Sequence, residues 1–162
     1  MATVNACDFP DELWYGLEEN CWVRVDPDGC VTLGLTDPGQ TKAGRVLAVT
    51  FRPVGKFVRR GRGGAVLESA KWVGRLVLPV SGKIVAVNSQ LVRDPGVINR
   101  DPYGEGWFLR LEPSGWEEAK GFLARGSMVV EYYREKLAQE DLSCVRCADG
   151  MAPDHEWKKV GL

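Results

Sequence analysis

"ESAKWVGRLVLPVSGKI", residues 68–84, decides how this chain is read. Two apolar runs, "GAVLE" at 64–68 and "WVGRLVL" at 72–78, meet across Ser69, Ala70 and Lys71. Runs of this length and Val/Leu content, separated by a few small or polar residues, predict a β-hairpin with Lys71 at its tip. A lysine on a turn is ordinarily a solvated charge. Here its surroundings argue for more. "PVGKFVRRGRGGAVLE" at 53–68 leads in and "WVGRLVLPVSGKIVAVN" at 72–88 leads out, each joining a Val-rich run to a Pro-Val turn. This symmetry places Lys71 where two similar halves meet.

The same texture extends outward over residues 21–112. The runs "WVRVD" at 22–26, "CVTLGLT" at 30–36, "RVLAVTF" at 45–51, "KIVAV" at 83–87 and "WFLRL" at 107–111 join the two hairpin runs as predicted strands. They are separated by "DPDG", "RPVG", "RGRGG" and "PVSG", whose Pro, Gly and Asp supply turn geometry. Seven short strands predict two packed sheets or a flattened barrel. Two short helices interrupt them: 37–43, capped by Asp37 with Pro38 at its first position, and a turn near 94–101. After Pro113 the spacing becomes helical, with a capping box from Ser114 and Glu117, a break at Gly126, and Val129, Tyr133 and Leu137 on one face as core. The expected organisation is an N-terminal segment 1–20, a β domain 21–112, docked helices 113–142 and a loosely ordered tail 143–162.

With 162 residues, 44% hydrophobic and 27% charged, the chain suits one globular domain with a single core. A net charge of -1 gives no global attraction to nucleic acid or anionic lipid, and no apolar run reaches a membrane span. The start "MATVNACDFPDE" lacks a signal or transit pattern, so a cytoplasmic protein with no nucleic-acid or membrane partner is expected. Five cysteines, Cys7, Cys21, Cys30, Cys144 and Cys147, argue against a disulfide framework by their odd number. Cys144 and Cys147, spaced as CxxC, suit a redox dithiol or half of a zinc site. Zinc needs two more ligands, and His155 is the one nearby, so no metal is expected. "RRGRGG" at 59–64 occurs once between strands and reads as a basic loop near the hairpin, where Arg59, Arg60, Arg62 and Arg75 form a positive rim or a solvated face. Asp101, Tyr103 and Glu105 read as turn residues, and His155 has no Ser or Asp constellation for a hydrolytic triad.

The segments "VTLGLTDPGQTKAG" at 31–44, "ESAK" at 68–71, "LPVSGKIVAVN" at 78–88 and "NRDPYGEGWFLRL" at 99–111 together resemble the glycine cleavage system H protein family. The resemblance implies a fold that is mainly β with C-terminal helices, a lipoyl/biotinyl-domain-like hammerhead β-sandwich. It also implies lipoate in amide linkage on Lys71, with Glu68 matching the family's glutamate and Ser69 and Trp72 flanking the site read by a ligase or partner. Such a protein has no catalytic residues of its own. Amidation removes the lysine charge and makes a long arm ending in a dithiolane. The small ring cannot reach the relaxed disulfide dihedral of about 90°, so it exchanges readily with thiolates. Biotin carriers flank their lysine with methionine, and 2-oxo acid dehydrogenase lipoyl domains place aspartate before it; Ala70 and Trp72 fit neither.

The implied partners are a lipoate ligase or lipoyl transferase, dihydrolipoamide dehydrogenase, and either glycine decarboxylase with aminomethyltransferase or a heterodisulfide-reductase-like complex. The heterodisulfide-reductase-like alternative arises from departures. Trp72 stands where a small residue is usual, "NCWV" at 20–23 lacks the usual histidine, and Cys144 and Cys147 are extra. "ESAKWVG" at 68–74 and "LWYGLEENCWVRV" at 13–25 resemble the H-like lipoate-binding proteins of heterodisulfide-reductase-like sulfur oxidation, the expected pathway, with glycine cleavage as the alternative. A further alternative is an unlipoylated redox or scaffold protein using Cys144 and Cys147.

Overall fold

Short Val- and Leu-rich runs joined by tight turns have their nearest partners next to them in sequence, and antiparallel pairing follows. The computed structural model, in which residues 1–70 and 72–146 are described, consists of three antiparallel sheets with helices at their edges. β1 (Ala2–Val4) and β2 (Cys7–Phe9) form a small hairpin. The main sheet contains β3 (Trp14–Gly16), β4 (Cys21–Val25), β5 (Val31–Leu35), β7 (Phe57–Val58), β10 (Gly82–Val87) and β11 (Leu109–Pro113), in the order β3-β4-β5-β11-β10-β7. A second sheet has the order β6-β8-β9, from β6 (Val46–Phe51), β8 (Gly63–Ser69) and β9 (Val73–Val77). The seven predicted strands are all present, shifted by a residue or two. The three N-terminal strands and β7 were not legible, because two- and three-residue segments show no period.

The main and second sheets share one core. Val23, Val31, Leu33, Ile84, Leu109 and Leu111 meet Val46, Val49, Ala65, Leu67 and Leu76 in a continuous buried cluster. Each of the Val, Leu and Ile side chains contributes about 1.5–3 kcal/mol on burial. A second cluster joins the N-terminal hairpin to α5 (Ser127–Gln139), whose Val129, Tyr133 and Leu137 are buried as their helical spacing predicts. Tyr133 stacks on Phe9 at 4.6 Å between ring centres, and its hydroxyl donates to Asn20 Oδ1 at 2.9 Å. Residues 1–20 are therefore packed structure that completes the seat of the helix.

Three local expectations need correction. α1 (Asp37–Ala43) is capped by Thr36, whose Oγ1 accepts from Gly39 N at 3.1 Å, one residue earlier than predicted. Asp37 instead points its carboxylate away from the helix end to Asp8 N, Gln40 and Arg146, which satisfy a charge that is almost fully buried. The Ser114/Glu117 capping box does not form: α4 (Trp116–Ala119) is preceded by Gly115 at φ 67°, and Ser114 N donates to Ser81 O in the neighbouring turn. Two one-turn helices, α2 (Gln90–Arg93) and α3 (Val97–Arg100), occupy the connection in which one turn was expected.

A further, long-range correction concerns the cysteines. Cys7 and Cys144 form a disulfide, across a sequence separation of 137 residues, so Cys144 is not half of a CxxC dithiol. Cys147 and His155 lie outside the described residues. The segment 142–146 is bound in place, not loose: Cys144 N donates to Asn5 O, Gln40 Nε2 donates to Val145 O at 2.8 Å, and Arg146 pairs with Asp37. An odd cysteine count hid one long-range pair, because spacing along the chain carries no information about partners this far apart.

Candidate carrier site at the 63–77 hairpin

β8 and β9 pair in register Glu68↔Val73 and Leu67↔Gly74. Alternation puts Ala65, Leu67 and Leu76 into the core and Val66, Glu68, Val73 and Arg75 outward. The Ser69 N–H donates to the Trp72 carbonyl at 2.8 Å, and Ser69 Oγ reaches the same oxygen at 3.4 Å. The chain is thus closed from both sides just before position 70 and at 72. Lys71 lies between these flanks in sequence, and its own placement is outside the described residues.

The flanks differ in environment. Ala70 and Glu68 are exposed, and Glu68 makes no ion pair with any described residue. Trp72 remains 44% exposed, with its indole lying across Gly74, where an added Cβ would fall inside the ring. Gly74, on the same side of β9 as buried Leu76, therefore provides the flat seat that holds a large, partly exposed aromatic at the end of the sheet.

The hairpin is anchored through its neighbour strand. β6 pairs with β8 from Val46↔Ser69 to Phe51↔Ala65, and a bulge between Val46 and Ala48 bends it. At its start the Val46 N–H donates to Asn99 Oδ1 at 2.9 Å. Asn99 is fully buried in α3, and its Nδ2 donates to Gly44 O at 2.8 Å and to Gln40 Oε1 at 3.0 Å. One amide thus ties the end of α1, the start of β6 and, through β6, the closing residue Ser69. Neither Asn99 nor Gln40 was singled out from sequence. The available signal was an amide placed directly after the apolar pair Val97–Ile98, where a buried side chain needs polar partners.

The other candidates fall elsewhere. Arg75 is on the outer face of β9, but Arg59, Arg60 and Arg62 sit in the loop before Gly63, at the opposite end of β8 from Ser69. The expected positive rim around the lysine is not formed; seven residues of strand, about 20 Å, separate them. Tyr103 is a structural tie: its hydroxyl accepts from Asp37 N at 2.9 Å and donates to Asp8 O, and burial raises its pKa well above the ordinary tyrosine value. Asp101 Oδ2 accepts from Glu105 N at 2.8 Å, the turn role expected of it. Cys21 is buried, and burial pushes its thiol pKa far up, with Glu19 adding to the shift.

A β-sandwich presenting one stiff hairpin with an exposed, closed turn is the architecture of a lipoyl-type carrier domain. Residues 13–136 match the family model described as glycine cleavage H-protein. The chain is 44% identical over 144 residues to "Glycine cleavage system H protein 3" of Aquifex aeolicus, covering 87% of this chain and 89% of the relative. It is 37% identical over 148 residues to "Probable glycine cleavage system H protein 2" of Sulfolobus acidocaldarius, covering 90% and 99%. The crystal structure of a glycine cleavage system H protein from Mycobacterium marinum superposes with a TM-score of 0.68 at 33% identity, over 79% of this chain and 98% of that one. The chain belongs to the glycine cleavage H-protein family, whose members are lipoate-bearing carriers and not enzymes. No helix among the described residues is long and apolar enough to cross a membrane.

Proposed function

We propose that Lys71 carries lipoate in amide linkage and that the protein serves glycine cleavage as its aminomethyl carrier. The observation that carries this reading is the family match across residues 13–136, with the closed hairpin flanks Ser69 and Trp72 on either side of the one lysine in the "ESAK" context. The flanks fit the group: Ala70 and Glu68 are exposed, so a ligase can reach the turn, and no described basic side chain pairs with Glu68. Bound lipoate supplies a disulfide that accepts a one-carbon amine as it is reduced and is reoxidised afterwards. The chain's residues hold the root of that arm. Asn99, β6 and the Ser69–Trp72 closure fix the strand ends that flank Lys71 in sequence, and Trp72 and Glu68 present the surface that a ligase or client enzyme reads.

A second reading is supported by particular observations. Trp72 puts an exposed aromatic where a small residue is usual in the family, and the relatives named above are numbered copies, 3 and 2. Several H proteins in one organism allow some to serve another system, and transfer of sulfur or reducing equivalents through a heterodisulfide-reductase-like complex is that alternative. The deciding experiment lipoylates the protein and substitutes it for an authentic H protein in a mixture of glycine decarboxylase, aminomethyltransferase and dihydrolipoamide dehydrogenase. Glycine-dependent release of carbon dioxide at a comparable rate supports the aminomethyl carrier. A lipoylated protein that stays inactive overturns it in favour of the second reading.

A further inference from the structure

Two of the arginines displaced from the hairpin, Arg59 and Arg60, line an unexplained cleft of about 390 Å³ at the far end of β8. Its walls are Phe57, on the edge strand β7, Arg59, Arg60, Glu118 and Phe122. Phe57 is 51% exposed and Phe122 56%, higher fractions than any other aromatic side chain among the described residues. The Arg60 guanidinium lies 3.8 Å above the centre of the Phe122 ring. Arg59, Arg60 and Arg62 have no carboxylate partner among the described residues, whereas Arg24, Arg110 and Arg146 all do.

The loop is also held in place. Arg60 N donates to Ser81 Oγ at 2.8 Å, Gly61 N to Leu78 O at 2.8 Å, and Leu78 N to Arg62 O at 2.9 Å. Stacking on Phe122 uses the face of Arg60 and leaves the in-plane donors of its guanidinium for a carboxylate. Exposed aromatics with arginine are the composition of interface hot spots.

We propose that this cleft docks an acidic peptide segment of a partner protein, with carboxylates on Arg59 and Arg60 and an apolar side chain between Phe57 and Phe122. Glu118 on the rim argues against a polyanion such as RNA, which would place a phosphate beside it, and favours a segment of mixed character. Because the cleft and the hairpin are at opposite ends of β8, a docked partner leaves the lysine turn free to work. The inference does not depend on what Lys71 carries.

The test uses the full, unlipoylated chain and a fluorescein-labelled hexapeptide, acetyl-Glu-Glu-Phe-Glu-Glu-Phe-amide, beside its Lys-for-Glu counterpart, an oligouridine RNA and phosphatidylserine vesicles. Saturable binding of the acidic peptide, with amide shifts at Phe57, Arg59, Arg60 and Phe122, is expected. Arg60→Glu and, separately, Phe122→Ala should weaken it about tenfold or more while leaving the circular dichroism spectrum unchanged. Absence of saturable binding, shifts centred on the 63–77 hairpin, affinity indifferent to both substitutions, or tighter binding of the RNA, the vesicles or the basic peptide at these residues would each overturn the proposal.

Discussion

The Trp72 indole rests on Gly74, two residues further along the same strand end, and the fit leaves no room for a Cβ at position 74. The protein repeats this device inside its core, where Trp22 covers its cross-strand partner Gly34, again with no space for a side chain. The buried pair builds the sandwich; the exposed pair shapes the surface beside the lysine. Gly74→Ala is therefore expected to displace the Trp72 indole into solvent, seen as a red-shifted tryptophan emission, at a cost below about 1 kcal/mol because the ring can move outward. In a Trp72→Ala background the same change should have no spectral effect. An unchanged spectrum for Gly74→Ala alone would disprove the seat.

Asn99 should be expensive to remove. Asn99→Leu leaves the Val46 N–H and the Gly44 carbonyl without partners in a fully buried place, at about 1–3 kcal/mol for each orphaned group. Urea unfolding would show the loss. The rate of modification of Lys71 by a lipoate ligase should fall as well, since β6 no longer fixes Ser69; a full modification rate in a destabilised but folded variant would separate the fold from the site.

The Cys7–Cys144 disulfide closes nearly the whole chain into a loop, which predicts about 2–5 kcal/mol of stabilisation. Reduction, or Cys144→Ser, should lower the melting temperature and release the strap at 142–146. Alkylation of the unfolded, unreduced protein should label Cys21 and Cys30 and leave Cys7 and Cys144 unlabelled, and after reduction Cys7 and Cys144 should be labelled too. Labelling of Cys7 and Cys144 without reductant would show that the pair is not bonded.

Asp26 gives a pH signature. Partial burial pushes its carboxyl pKa up, but hydrogen bonds from Thr32, Arg24 and Arg110 outweigh this and bring it below the ordinary carboxylate value. The folded value being depressed, the network's stabilisation is fully present above about pH 4 and is lost as the pH falls through the folded value. Arg110→Ala should cost about 0.5–1 kcal/mol at pH 7, and the difference from the wild-type protein should shrink in acid. A difference that grows in acid would contradict the sign.

Much of the sandwich was legible because its strands are bounded by Pro and Gly and its apolar runs alternate with turns; β4, β5, β6, β8, β9, β10 and β11 all follow from that pattern. The α5 face was equally plain from Val129, Tyr133 and Leu137. What escaped were facts of distance. Cys7 meets Cys144, Arg146 meets Asp37 and Asn99 meets Val46 across 53 to 137 residues, and no local signal marks such partners. The arginine loop was misplaced for the opposite reason: proximity in sequence to the hairpin was read as proximity in space, although an extended strand carries its two ends apart.

The central claim is that Lys71 is the attachment point, and peptide mapping after incubation with a lipoate ligase and lipoate tests it most directly. A single lipoyl amide is expected, on the peptide containing Lys71, and none in Lys71→Arg, whose guanidinium remains protonated and is a poor nucleophile. Lipoate on any other lysine, or undiminished labelling of Lys71→Arg, would contradict it.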